Sequence, residues 1–166
     1  MLGDTVPGPG RGAGYTLVVS VVAPFSRGSV RLSSAAPDTA PLIDPGYYTD
    51  GRDLDAAVAG LRAARELGNA PAFAPWRGQE AQPGADVQDD SALRAYVRRS
   101  AHTYFHYAGT CRMGTDDDAV VDTDLRVRGV DGLRVIDASV MPSPVNANTN
   151  ATVYGIAERA AQILRT

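Results

Sequence analysis

Two histidines, His102 and His106, are the side chains best suited to exchange a proton near neutral pH. They lie four residues apart, and on a helix this spacing could bind zinc from one face. The glutamate of the H-E-x-x-H zinc motif is missing, however, and Gly109 follows closely. We therefore predict no metal site. A histidine among aromatic residues is more often a hydrogen-bonded packing residue than a catalyst, so the residue types alone leave both roles open.

The composition is that of a globular chain, since 44% of its 166 residues are hydrophobic and 21% are charged. Sixteen basic residues, all arginine, against nineteen acidic residues give a net charge of −3, which argues against nucleic-acid and anionic-lipid partners. No stretch approaches the roughly 20 apolar residues of a membrane span. The only cysteine, Cys111, excludes an intrachain disulfide and favours a reducing compartment. We therefore expect a cytoplasmic protein.

Hydrophobic residues recur at three- and four-residue steps in three segments, which predicts three helices. The first covers residues 53–67, with Asp53 as its N-cap and Gly68 as its stop signal. The second begins at Asp89 or Asp90 and ends at Ser100. The third covers residues 150–164, and either Asn148 or Asn150 could cap it.

Four segments are typical of β-strands: residues 15–23, 28–33, 120–130 and 132–138. Residues 24–27 supply a turn between the first two. We therefore predict an α+β fold, in which a largely antiparallel sheet carries the helices on one face. Asp137 falls at the end of the last strand, where it could also cap Val140.

Residues 1–14 contain five glycines and two prolines, so we predict a flexible leader followed by one domain over residues 15–166. Within the leader, residues 8–13 fit the dinucleotide-binding string G-x-G-x-x-A. No apolar strand precedes them, and Pro9 interrupts the turn. A linker is therefore the favoured interpretation of this string.

The string YFHYAGTCRMG at residues 104–114 resembles the glucose–methanol–choline (GMC) oxidoreductase family. Further strings are similar to that family in the same order along the chain: PFSRGSV at 24–30, PLIDP at 41–45, GLRVIDASVMP at 132–142 and NTNAT at 148–152. The resemblance runs from about residue 16 to residue 164. It implies the fold of that family's C-terminal, substrate-binding domain. One departure is Tyr107, where many members have proline.

The resemblance implies an FAD-dependent enzyme that oxidises an alcohol. The family's proton-accepting histidine falls on His106, which would take the hydroxyl proton while a hydride passes to the flavin. Its partner position falls on Asn148. Because an amide cannot act as a base, this residue would orient the alcohol oxygen or stabilise the negative charge that develops there. Asp137 and Ala138 are implied to contact the ribityl–pyrophosphate part of FAD. Asn148 and Thr149 are implied to lie beside the flavin ring.

The family's Gly-rich FAD-binding unit has no counterpart in these 166 residues, and this leaves three interpretations open. The chain could supply the catalytic part of an FAD enzyme whose flavin is held largely by a partner chain or a missing segment. It could instead be a cofactor-free isomerase, dehydratase or cyclase that reuses His106, or a non-catalytic binding subunit. We expect the apolar face of the last helix to be covered by a partner chain, by a homodimer or other homo-oligomer, or by a rearranged fold of the chain itself.

Overall fold

The structure is a computed structural model that describes residues 14–165. In this part of the chain three α-helices accompany two short strands: α1 (Gly51–Gly68), α2 (Asp90–Ser100), α3 (Asn150–Leu164), β1 (Ser29–Arg31) and β2 (Leu42–Asp44). Short 3₁₀ turns cover Pro71–Phe73 and Ala138–Val140. The predicted α+β class is confirmed. Residues 1–13 of the predicted leader, with their G-x-G-x-x-A string, lie outside the described residues, and the leader–domain boundary stays a prediction.

The strands β1 and β2 form a two-stranded antiparallel sheet in which Val30 pairs with Ile43. Gly28 precedes β1 at a point where a Cβ atom would lie only 2.1 Å from the carbonyl oxygen of Asp44. Glycine is required there because no larger residue lets the two backbones approach so closely. The strand predicted at residues 28–33 is therefore confirmed over its central part, but its partner is β2.

The strand predicted at residues 15–23, and with it the hairpin to residues 28–33, is wrong: the structure assigns no strand to this run. Val19 of this run lies beside helix α1 instead. A Cβ atom at Gly60 would lie 2.4 Å from Cγ1 of Val19, so the missing side chain makes room for this contact. At Val19 a β-branched residue therefore contacts a helix rather than pairing in a sheet.

The strands predicted at residues 120–130 and 132–138 are also wrong as continuous strands. This region forms isolated bridges, in which Val121 pairs with Met113 and Val127, and Arg126 pairs with Arg134. Leu125 has a φ of +65°, a left-handed conformation that no regular strand contains. Turns therefore interrupt the pairing every few residues.

The described residues divide into two compact units, of which the first contains residues 14–21 and Asp50–His102. Helices α1 and α2 pack together in this unit, where they bury Leu54, Ala57, Val58, Leu93 and Val97. The N-cap of α1 is Asp50, which accepts a hydrogen bond from the Arg52 N–H at 2.9 Å, and not Asp53, which is buried in the first turn. Helix α2 begins as predicted, with Asp89 accepting from the Ala92 N–H at 2.9 Å.

The second unit contains Val22–Thr49 and residues 103–165. Its core is formed by Val121, Leu125, Val140 and Ala160, with Ile156 packed against them. Ala160 and Ile156 belong to α3, which lies where the sequence predicts. Part of the inward face of α3 is thus covered within this unit, and a partner for the rest of the helix stays a prediction. Tyr154 and Leu164 of the same helix are exposed.

Across residues 14–165, no helix combines the length and the hydrophobicity needed to cross a membrane.

Candidate functional site

His106 lies in an irregular segment that follows helix α2, and its backbone is held in an uncommon conformation. Phe105 and His106 have φ angles of +63° and +59°, so two successive non-glycine residues are left-handed. This region costs L-residues about 1–3 kcal/mol each and persists only where the surroundings enforce it. The Phe105 N–H donates a hydrogen bond to Oγ1 of Thr103 at 3.1 Å, which holds the turn from one side.

The imidazole of His106 contacts the start of helix α3. Its Nδ1 atom lies 3.2 Å from Oγ1 of Thr149. Thr149 is the N-cap residue of α3 and is only 7% exposed, whereas His106 is exposed. Asn148 precedes Thr149 directly and is exposed as well. Because Nδ1 is engaged by a buried hydroxyl, Nε2 is the ring nitrogen left for a ligand.

The cap of α3 differs from what the sequence suggests. Neither Asn148 nor Asn150 is the N-cap residue, since Thr149 occupies that position and its side chain makes no capping hydrogen bond. The hydroxyl of a threonine at this position normally accepts from a first-turn N–H of the helix. Here the structure gives it the His106 ring as a partner instead.

Asp137 and Ala138 lie at a second turn of the same unit. Oδ1 of Asp137 accepts from the Ser139 N–H at 2.7 Å and caps the 3₁₀ turn, and the Asp137 carbonyl oxygen accepts from the Val140 N–H at 3.3 Å. Asp137 therefore caps this turn, but its carboxylate accepts from the backbone N–H of Ser139 and not from that of Val140. Asp137 is exposed.

Backbone hydrogen bonds tie this turn to the chain that follows His106. The Cys111 N–H donates to the Ser139 carbonyl at 3.0 Å, and the Met113 N–H donates to the Val140 carbonyl at 2.8 Å. Gly109 has a φ of +87°, and a Cβ atom there would lie 3.4 Å from the carbonyl oxygen of Met141. These contacts hold residues 109–113, which follow His106, against the turn that follows Asp137.

An ion pair connects Arg112 to Asp116 in the segment that follows. Arg112 donates two hydrogen bonds to the carboxylate of Asp116, one of them from Nη1 at 2.9 Å. Hydrogen bonding by the Arg112 guanidinium holds the pKa of the Asp116 carboxyl well below its usual range and raises the pKa of Arg112. Asp116 is thus a structural anion, not a candidate proton donor at neutral pH.

The structure joins some of the predicted site residues and leaves others apart. It brings His106 and Thr149 into contact and places Asn148 next to that contact in the chain. The carboxylate of Asp137 bonds to Ser139, and no described hydrogen bond links it to His106 or Asn148. In residues 14–165, no group of three or more His, Cys, Asp or Glu side chains is arranged to hold a metal ion. The side chains that lie together here can accept a proton, through His106, and form hydrogen bonds, through Thr149 and the neighbouring Asn148.

Two features of the site were missed by reasoning from the sequence. The left-handed backbone at Phe105 and His106 carries no glycine or asparagine that would signal it. The contact between His106 and Thr149 spans 43 positions of the chain, and a threonine beside two asparagines signals only a helix start. The one usable hint was that a hydroxyl residue immediately precedes α3.

The comparisons with known proteins agree with one another. The family model for GMC oxidoreductase matches residues 24–157. Choline oxidase of Arthrobacter globiformis is 46% identical over 156 residues, which cover 92% of this chain and 29% of that protein. The structure of pyridoxine 4-oxidase from Mesorbium loti matches with a TM-score of 0.76 and 41% identity over 85% of this chain and 28% of that one. An FAD-dependent oxidoreductase from Chaetomium thermophilum matches with a TM-score of 0.79 and 35% identity, over 87% and 25%.

This chain therefore spans less than a third of the length of each of these relatives. The match covers 29%, 28% and 25% of their own length, in the order given above. Within the chain the match is nearly complete. It includes the His106 segment, the turn at Asp137 and the start of α3, all of which lie between residues 24 and 157. The chain belongs to the GMC oxidoreductase family.

Proposed function

We propose that this chain supplies the proton-accepting and alcohol-orienting side chains of an FAD-dependent oxidoreductase that oxidises the CH–OH group of a small alcohol. The observation that carries the proposal is the contact of the exposed His106 ring with the buried Thr149 hydroxyl. This contact provides an exposed base, the His106 imidazole, whose ring is oriented by a hydrogen bond at Nδ1. The relatives' names support the substrate class, since choline and pyridoxine are both alcohols.

FAD is the cofactor that the family implies, and the residues present suit one part of it. Helix α3 begins without a side-chain cap, so its first-turn N–H groups remain available to an electron-rich carbonyl oxygen. The amide of Asn148 and the backbone of Thr149 lie at the same place, where we assign the flavin ring. We assign the ribityl–pyrophosphate part to Asp137 and Ala138. When bound, FAD would supply the hydride acceptor.

The adenosine part of FAD is assigned to a partner chain or to a further segment of the polypeptide. Residues 14–165 contain no G-x-G-x-x-G string, and such a turn is what commonly holds the dinucleotide pyrophosphate. The exposed side chains of Tyr154 and Leu164 on helix α3 give such a partner, or a second copy of this chain, an apolar surface to cover.

His106 carries the proton transfer in this proposal. The O–H bond of the alcohol breaks, and its proton moves to the free Nε2 atom of the imidazole. The bonding electrons stay on the oxygen and favour departure of a hydride from the adjacent carbon. A positioned base of this kind typically contributes about 10²–10⁴-fold to a rate.

Asn148 orients the alcohol in this proposal. Its side-chain N–H would donate to the alcohol oxygen and stabilise the negative charge that develops as the proton leaves. Asn150 lies on the other side of Thr149 and is also exposed, which makes it the natural comparison for any test of this role.

The function is tested by joining this chain with the partner or segment that completes its flavin site, loading it with FAD and mixing it with a panel of small alcohols in the absence of oxygen. The proposal expects the visible absorbance of the oxidised flavin to disappear with at least one alcohol, accompanied by one equivalent of carbonyl product. Conversion of a substrate without any change in the flavin spectrum would contradict it and favour a cofactor-free enzyme. Tight binding of an alcohol with no conversion would favour a binding subunit.

A further inference from the structure

We infer that Thr149 is a positioning residue that accepts a hydrogen bond from Nδ1–H of His106 and thereby keeps Nε2 unprotonated. The inference rests on the proposed function, because it specifies which nitrogen of His106 receives the proton of the alcohol. It concerns the resting tautomer of the ring, which can be observed without substrate or cofactor.

The burial and position of Thr149 argue against its being only a helix cap. Its side chain is 7% exposed and makes no hydrogen bond to the first turn of α3, although its carbonyl oxygen accepts the helical Val153 N–H at 3.0 Å. Oγ1 instead lies 3.2 Å from Nδ1 of His106. A buried hydroxyl that forgoes capping needs another partner to offset its desolvation, and His106 provides it.

The count of hydrogen atoms allows two arrangements of this contact. The Thr149 hydroxyl can donate to Nδ1, which places the single ring hydrogen of neutral His106 on Nε2. Alternatively, Nδ1–H can donate to Oγ1 of Thr149, which leaves the lone pair of Nε2 free. Only the second arrangement provides a base on the exposed side of the ring, because the tautomer is fixed by the hydrogen bond that the other nitrogen makes.

The second arrangement also suits both protonation states of His106. When Nε2 accepts a proton, both ring nitrogens carry hydrogen, and the Nδ1–H bond to Thr149 stays as it was. The first arrangement would require the Thr149 hydroxyl to turn round, since a doubly protonated ring has no acceptor.

The test is the tautomer of neutral His106, read from long-range proton–nitrogen correlations of the ¹⁵N-labelled full chain at a pH where both histidines are neutral. We expect the hydrogen of His106 on Nδ1 in the wild type and in Thr149→Ser, which retains the hydroxyl. In Thr149→Val, which matches the shape of threonine but has no hydroxyl, we expect the population with hydrogen on Nε2 to rise. His102 serves as the internal reference and should not change.

A wild-type spectrum with the His106 hydrogen on Nε2 would overturn the inference, and it needs no variant to fold. The same tautomer in wild type and Thr149→Val would overturn it too. In the flavin-loaded form, Thr149→Val should lower the rate of alcohol oxidation by about threefold to tenfold, and Thr149→Ser should restore it. If the tautomer is as inferred while His106→Gln leaves oxidation unchanged, the proposed function fails and the positioning role of Thr149 stands.

Discussion

The backbone N–H of Met113 donates a hydrogen bond to the carbonyl oxygen of Val140 at 2.8 Å, and the side chain of Val140 is 0% exposed. The hydrogen bond to Val140 thus connects the segment that follows His106 to the hydrophobic core of the same unit. The same core includes Ala160 of helix α3, whose first residue is Asn150. The two parts of the candidate site, the His106 segment and the start of α3, are therefore anchored to the same packed residues.

Truncation of Val140 should weaken this anchor. We expect Val140→Ala to lower the free energy of unfolding by about 2 kcal/mol, because it removes buried methyl groups and leaves a cavity. Val130→Ala is the matched control, since Val130 is 50% exposed and should change stability by less than about 0.5 kcal/mol. Urea titrations followed by circular dichroism measure both. Equal losses at the two positions would contradict the assignment of Val140 to the core.

The N-cap of helix α1 gives an expected pH dependence. Hydrogen bonding by the Arg52 guanidinium lowers the pKa of Asp50 to about 2. An aspartate in an unfolded chain titrates near ~3.9, so the charged form of Asp50 favours the folded state above that pH. This contribution should be lost as the pH falls from about 4 to about 2.

The variant that isolates this effect is Asp50→Asn, which keeps an oxygen able to cap the helix but carries no charge. Wild type should have the higher urea midpoint at pH 7, and the difference should shrink at pH 3 and again at pH 2. A difference between the two proteins that does not depend on pH would show that the Asp50 charge is not responsible.

The left-handed backbone next to His106 can be tested by two substitutions at the exposed Phe105. Glycine adopts a positive φ freely, whereas alanine pays the same steric cost as phenylalanine. Both substitutions remove the ring, so we expect Phe105→Gly to be more stable than Phe105→Ala by about 1 kcal/mol. At a residue with an ordinary φ the order would be reversed, because glycine loses more entropy on folding. Thermal unfolding of the two variants decides between these outcomes.

The sequence predicts the parts of this fold that depend on local signals. Helix α2 lies where hydrophobic periodicity and the Asp89 cap place it, and helix α3 lies where its periodicity alone places it. The family follows from strings such as residues 104–114. The strand predicted at residues 15–23 fails because β-branched residues also suit packing against a helix. Whether such a run pairs or packs is decided by distant residues, here Gly60 opposite Val19.

The candidate site divides in the same way. His106 and Asn148 come from residue type and family resemblance, and no structural observation was needed to select them. The contact of His106 with Thr149 depends on how the core brings two distant segments together, and no local pattern encodes that.

The orienting role of Asn148 predicts an intermediate loss of activity. If Asn148 acts as proposed, Asn148→Ala removes one hydrogen bond to the alcohol oxygen, which should cost about 1–3 kcal/mol of transition-state stabilisation, or roughly 5–150-fold in rate. Asn150→Ala is the matched comparison, because it removes the same amide on the other side of Thr149 and should cost less. Rates of flavin reduction by the alcohol measure both. A larger loss at Asn150 would move the orienting role to that residue.

The central claim is that His106, and not His102, accepts the proton of the alcohol. The most direct measurement is the rate of flavin reduction by substrate in His106→Gln and His102→Gln, with thermal unfolding of each variant as the control for folding. Glutamine keeps much of the shape of histidine but cannot act as a base, so His106→Gln should slow the reaction by about 10²–10⁴-fold while the fold is retained. His102→Gln should leave the rate close to that of wild type. Equal losses at the two histidines, or an unchanged rate in His106→Gln, would contradict the account.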